Sequence, residues 1–231
     1  MLKTILIAII SLTITTGAFA QKNESVKSQV RKIGSFDKIK ATKGINVTLT
    51  EGSKEEVRVE IENGSLNDVV TQLKNKQLTV KMKTKIYNDV AIQVYVTYVD
   101  LREIDAGTGA SIDADNTIIA DKLILEAGTD AKIKLDVDVN AIEASVSAGR
   151  IELSGKVESQ LVKANNWGKY LAYELESQEA IAKANTGAKV EVTVNKSLKA
   201  TVSNGADIKY KGKPEMIEKK ISMGGKVEET E

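Results

Sequence analysis

The segments GTDAKIKLDVDVNAIEASV (128–146), SAGRIELSGKVESQLVKAN (147–165), NWGKYLAYELESQEAIAKA (166–184) and NTGAKVEVTVNKSLKATV (185–202) repeat one pattern: a small-residue turn, a strand with two apolar residues two apart, and another short apolar strand. The same turn occurs upstream at Gly107-Thr108-Gly109 and downstream at Ser203-Asn204-Gly205. The apolar pairs that follow the six turns are Ile112 with Ala114, Ile133 with Leu135, Ile151 with Leu153, Tyr170 with Ala172, Val190 with Val192, and Ile208 with Tyr210. Their first members are spaced by 21, 18, 19, 20 and 18 residues. Second corners follow at Asp115-Asn116, Ser154-Gly155, Asn195-Lys196 and Lys211-Gly212, so a repeat holds two or three short strands.

Strands this short, joined by such corners, close into a coil, and coils of about 19 residues stack as a β-solenoid over residues 101–212. Each strand then pairs with its counterpart one repeat away, alternate apolar residues point inward, and Gly or Asn takes corners that need positive φ. A single coil buries too few aliphatic side chains to offset its ordering entropy, so stacking is obligatory. A β-sandwich of antiparallel hairpins is the alternative that alternation alone permits; the near-constant period argues against it.

Outward from this block, residues 36–100 alternate in the same way. Ile45, Val47 and Leu49, then Val57, Val59 and Ile61, then Leu78, Val80 and Met82, then Ile92, Val94 and Val96 mark four half-buried strands. This β region either continues or caps the solenoid. Leu66, Val69, Val70 and Leu73 have helical spacing and predict one short helix. Residues 21–35 are polar without a period and read as a flexible leader. Residues 213–231, which include the single proline, Pro214, just past the last repeat, read as a C-terminal cap and charged tail that protects the strand edge.

Residues 1–20 read as a signal peptide. Lys3 provides the positive start, Ile5 to Ile14 the apolar run, and Ala18-Phe19-Ala20 the small residues of a cleavage site. The apolar run is shorter than a bilayer span, and no later segment is apolar enough to span as a helix. The expected location is therefore exported: periplasmic, outer-surface associated or secreted. The chain has no cysteine and no histidine, which removes thiol nucleophiles, the usual serine triads, disulfides, lipoprotein-type anchoring and most zinc, copper or haem sites. With 33 basic and 32 acidic side chains, no net field draws nucleic acid to the surface.

Phe36-Asp37-Lys38-Ile39, Gly44-Ile45-Asn46 followed by Val47, Gly107-Thr108-Gly109-Ala110, and Asn204-Gly205-Ala206-Asp207-Ile208-Lys209-Tyr210-Lys211-Gly212 occur in this order behind a signal peptide. In that set, from about Phe36 to Val227, the chain resembles the head GIN domain family of auto-transporter adhesins, common in Bacteroidetes. The resemblance implies an all-β fold, a right-handed single-stranded parallel β-helix of the pectin-lyase type, and a role in adhesion. Asn166-Trp167-Gly168 departs from the family's serine-rich and glycine-rich turns.

Pectin-lyase-like enzymes need clustered carboxylates with a metal or cationic stabiliser beside the substrate. The nearest counterpart is Asp115 and Asp136, one repeat apart, with Asp113 and Asp138 nearby; stacked carboxylates suit Ca²⁺. The simpler reading is a solvated corner, because the glycine-rich nonapeptide of Ca²⁺-binding β-rolls is absent. Trp167, with Tyr170 and Tyr173, offers an aromatic platform for a glycan or protein partner; the plainer alternative packs Trp167 over the next coil. Lys81, Lys83 and Lys85 alternate on one strand face and read as solvated edge protection. No cofactor is expected. The leading functional reading is a non-catalytic envelope solenoid that binds an unknown protein or glycan at the cell surface. A polysaccharide-active β-helix enzyme using Asp115 and Asp136, and a structural spacer, are the alternatives.

Overall fold

In a computed structural model, the structure describes residues 26–85, 87 and 89–231. The signal-peptide reading of residues 1–20 falls outside them. The strands are β1 (Lys27–Lys32), β2 (Lys38–Thr42), β3 (Asn46–Glu51), β4 (Glu56–Glu62), β5 (Val69–Lys74), β6 (Gln77–Met82), β7 (Ala91–Tyr98), β8 (Glu103–Ala106), β9 (Ser111–Ala114), β10 (Ile118–Ala127), β11 (Lys132–Ser147), β12 (Arg150–Asn165), β13 (Lys169–Ala184), β14 (Lys189–Val202), β15 (Asp207–Lys211), β16 (Met216–Ile221) and β17 (Lys226–Glu229). No α-helix occurs among the described residues.

The chain is a β-solenoid of parallel stacked coils of about 19 residues and about 7 turns. Its register is the one the repeat predicts. The first members of the six sequence pairs form one inward stack, Ile112–Ile133–Ile151–Tyr170–Val190–Ile208, extended by Val94 and Val47 on one side and Val227 on the other. A second wall stacks Leu78–Ile39–Ile104–Leu125–Ala144–Val162–Ala182–Ala200, all of them buried. β11 to β14 are single long strands that turn from one wall to the next, and β11 and β12 keep one register through the turn.

The corners are built as the turn residues demand. Asn166 and Trp167, Thr186 and Gly187, and Asn204 and Gly205 are consecutive pairs with φ between +50° and +67°. The corner amides stack too: Trp167 N–H donates to Thr186 O (2.9 Å) and Gly187 N–H to Asn204 O (3.0 Å). Gly44-Ile45-Asn46 is explained by the same geometry. Lys43 and Gly44, with φ of 63° and 72°, turn β2 into β3, Ile45 plugs the core, and both amides donate to Thr108 O of the next corner. At the second corner Gly155 has φ +104°, and a Cβ there would lie 2.1 Å from Val137 O.

The N-terminal region both continues and closes the stack. β2 and β3 lie between β6 and β7 on one side and β8 and β9 on the other, all parallel. Beyond them the pairing turns antiparallel: β5 on β6, β4 on β7, and β1 on β4. Two expectations are corrected here. Residues 27–32 of the expected leader are a strand, invisible to periodicity because almost every side chain in it is exposed and only its backbone is engaged. The helical spacing of Leu66 to Leu73 produces only a 3₁₀ turn, Leu66–Asp68, started by Ser65, before the chain extends into β5. Arg31 of β1 fastens this turn, donating to Leu66 O and Val69 O, both at 2.7 Å. At the other end, residues 213–231 form one more parallel rung, β16 on β14 and β17 on β15.

Candidate binding groove

The ladder of β13 shifts register against both neighbours between Leu171 and Glu176, and against β14 again between Ser177 and Glu179, where Asn195 and Lys196 have no counterparts on β13. β13 pairs with β14 up to Ala172 opposite Val192 and resumes at Glu176 opposite Thr193, so Tyr173, Glu174 and Leu175 have no counterparts on β14. Against β12 the register also slips, with Leu153 alone opposite Ala172 and Tyr173. The extra residues bulge. Leu175 turns into the core, while Tyr173 is half-buried and Glu174 exposed.

The bulge leaves ladder groups to be satisfied by side chains, and the interior behind it is polar for that reason. Ser177 Oγ donates to Thr193 O (2.6 Å), Gln160 Nε2 to Ser177 Oγ (2.9 Å), and Tyr170 Oη to Gln160 Oε1 (2.8 Å). Gln160, Ser177 and Tyr170 are all buried. Burial pushes the Tyr170 hydroxyl far up, so it stays protonated and keeps donating. Outside, Thr193 Oγ1 donates to Tyr173 O (2.7 Å), and the Tyr173 ring lies 5.2 Å from Lys211 Nζ.

In front of the bulge lies a groove of about 310 Å³. Leu135, Leu153 and Leu171 give it an apolar lining, Tyr173 an aromatic wall, and Arg150 and Glu152 a charged rim. Burial alone would raise the Glu152 carboxyl. The Arg150 hydrogen bond and charge, with Lys132 and Lys134, outweigh it and hold the group below the usual carboxylate range. Lys189 pairs with Glu191 at 2.5 Å on the same rim. With Lys134 and Glu174 also on the lining, the rim mixes both signs of charge over an apolar floor, an arrangement that suits an amphipathic ligand better than a simple ion.

The residues singled out in the sequence separate. Tyr170 is removed from the aromatic platform: it is fully buried in the inner stack, as the alternation required, and presents nothing to a partner. Trp167 is 73% exposed at the first corner of the coil, six residues from Tyr173, with its ring over Gly187 of the next corner. Of the three, only Tyr173 lines the groove. Asp136 accepts from Thr117 Oγ1 (2.5 Å) and Ser154 Oγ (3.1 Å), and Asp115 from Thr50 Oγ1 (3.1 Å). No group of three metal-ligating side chains occurs among the described residues. Asp113 lies in register with Lys134 and Asp138 with Lys156, each beside a cation. The strand carrying Lys81 ends at Met82; Lys83 is exposed, and Lys85 pairs with Asp68 at 2.6 Å and lies over Tyr87. The groove itself escaped sequence reasoning, although one signal was present: the 20-residue spacing from Tyr170 to Val190 exceeds that of the coils on either side.

The fold is a parallel β-solenoid with a shallow groove beside the β13 bulge. Residues 35–214 match the family described as "Putative auto-transporter adhesin, head GIN domain", and the chain belongs to that family. Three solved structures similar to it are a "putative adhesin" from Bacteroides fragilis (17% identity, TM-score 0.83), a "putative adhesin" from Parabacteroides merdae (20%, 0.73) and a "putative lipid binding protein" from Parabacteroides distasonis (18%, 0.71). Each alignment covers 90% of this chain and 98% of the other, and at these identities the likeness is one of fold. No curated protein matches.

Proposed function

We propose that the protein is an exported, non-catalytic binding module of the cell envelope that recognises a glycan or protein at the cell surface through the groove beside the β13 bulge. The observation that carries the reading is the groove itself: an aromatic wall and apolar lining under a mixed-charge rim, beside the bulge at Tyr173–Leu175. Family membership supports adhesion, and the reading of residues 1–20 supports export. Asp115 and Asp136 accept from the hydroxyls of Thr50, and of Thr117 and Ser154, contacts that fit the reading of these positions as corners of the coil.

A glycan array and a pull-down from outer-membrane extract test the proposal, each run with the wild type and Tyr173→Ala. Binding is expected to fall at least tenfold in the variant, the loss of roughly 1.4 kcal/mol or more. Absence of wild-type binding in both assays, or full binding by the variant, contradicts it. No absorbance from unsaturated products is expected with acidic polysaccharides, with or without Ca²⁺.

A further inference from the structure

The last rung departs from every rung before it. In the second wall eight successive inward positions, Leu78 to Ala200, are apolar; the ninth, in register on Ala200, is Lys219. In the first wall the inward column Ala172–Val192–Tyr210 is followed in register by Glu229. The two charges converge on one atom. Lys219 Nζ donates to Tyr210 Oη (3.3 Å) and lies 5.0 Å from the Tyr210 ring, while Tyr210 Oη lies 3.5 Å from Glu229 Oε2.

Around this trio the rung is apolar and open. Ile217 and Ile221 continue the inward stacks of Leu198 and Val202 but are 42% and 51% exposed, and Met216 and Met223 are 67% and 77% exposed. Among the described residues neither β16 nor β17 has a strand on its outer side. An exposed edge with apolar inward positions is a template for another β-rung, and an inward-pointing charge is a known way of disabling one.

We infer that the C-terminal rung is a guarded self-association surface: it fits the same rung of a second copy of this chain, and Lys219 and Glu229, turned inward onto Tyr210, keep the two apart. To stack, both copies would have to bury these charges, which meet through the Tyr210 hydroxyl and form no direct ion pair with each other. The opposite end is built differently. There β1 covers β4 antiparallel, and Arg31 takes the carbonyls of Leu66 and Val69. A contact between like rungs is isologous, so association released by removing the guard meets tail to tail and stops at a dimer rather than a fibre.

Sedimentation velocity on the purified protein across a wide concentration range tests this with three variants: Lys219→Leu/Glu229→Val, Lys219→Met, and Lys220→Leu. Lys220 lies in register with the outward Thr201 on the same strand, so its replacement adds equal apolar surface without touching the guard. The expected result is a monomeric wild type and Lys220→Leu, and a concentration-dependent dimer for the double variant. Lys219→Met, which keeps the side-chain length should the double variant fail to fold, is expected to dimerise more weakly. A double variant that folds yet stays monomeric, equal association by Lys220→Leu, or a wild type that already pairs through this rung overturns the inference.

Discussion

Gly155 and Tyr170 show how much single residues decide in a stacked coil. At Gly155 both the positive φ and the 2.1 Å approach to Val137 O exclude a side chain. Gly155→Ala is expected to lower unfolding free energy by about 2–4 kcal/mol, read from the urea midpoint. Tyr170→Phe strips Gln160 Oε1 of its buried donor and is expected to cost about 1–3 kcal/mol, whereas Val190→Ala, a plain truncation in the same stack, leaves the polar chain intact. At this scale the sequence was informative where alternation spoke and misleading where residue type did. Tyr170 was correctly inward as a member of an apolar pair and incorrectly outward as one of three aromatics. Its hydroxyl finds partners only because Gln160 and Ser177 arrive from other parts of the coils, which no local pattern reveals.

At the scale of elements, the central strands were legible and the closing ones were not. β8 to β15 announce themselves because each buries one face against the next coil and therefore alternates. β1 contributes backbone pairing and one guanidinium, and exposed side chains carry no period. The 3₁₀ turn at Leu66–Asp68 borrows helical spacing for a single turn, then yields to pairing with β6. Arg31→Ala is accordingly expected to raise amide exchange selectively in residues 65–74 while leaving 128–202 protected, since solenoid stability is a sum of neighbouring terms. Uniform loss of protection along the chain would contradict that separation. The bulge in β13 follows the same logic. Its three extra residues alter one coil's length by little, so the period hides them, yet they create the groove.

For the whole molecule, a chain without histidine or cysteine has no side chain whose ordinary titration falls between pH 5 and 8, so its melting temperature is expected to stay flat across that window. Glu152, and the exposed Glu143 beside Lys122 and Lys163, are held below the usual carboxylate range. Carboxyls lowered in this way stabilise the fold above their unfolded pKa, and that contribution disappears as pH falls below about 4. Tyr170, and Tyr98 with it, have hydroxyls raised by burial, so stability is expected to fall again as pH rises past about 10. Function was the least legible level of all. Composition removed classes of chemistry, but the groove and the guarded end depend on which inward or outward column a residue joins, and the fold alone settles that.

All of these expectations rest on parallel, rung-on-rung register. The absence of native cysteine allows a direct test: Lys163 and Lys183 are exposed and directly opposite on β12 and β13, whereas Lys163 and Glu179 are not in register. Lys163→Cys/Lys183→Cys is expected to form an intramolecular disulfide under mild oxidation, and Lys163→Cys/Glu179→Cys to remain reduced. A first pair that stays reduced, or cross-linking of the second pair without the first, would contradict the account.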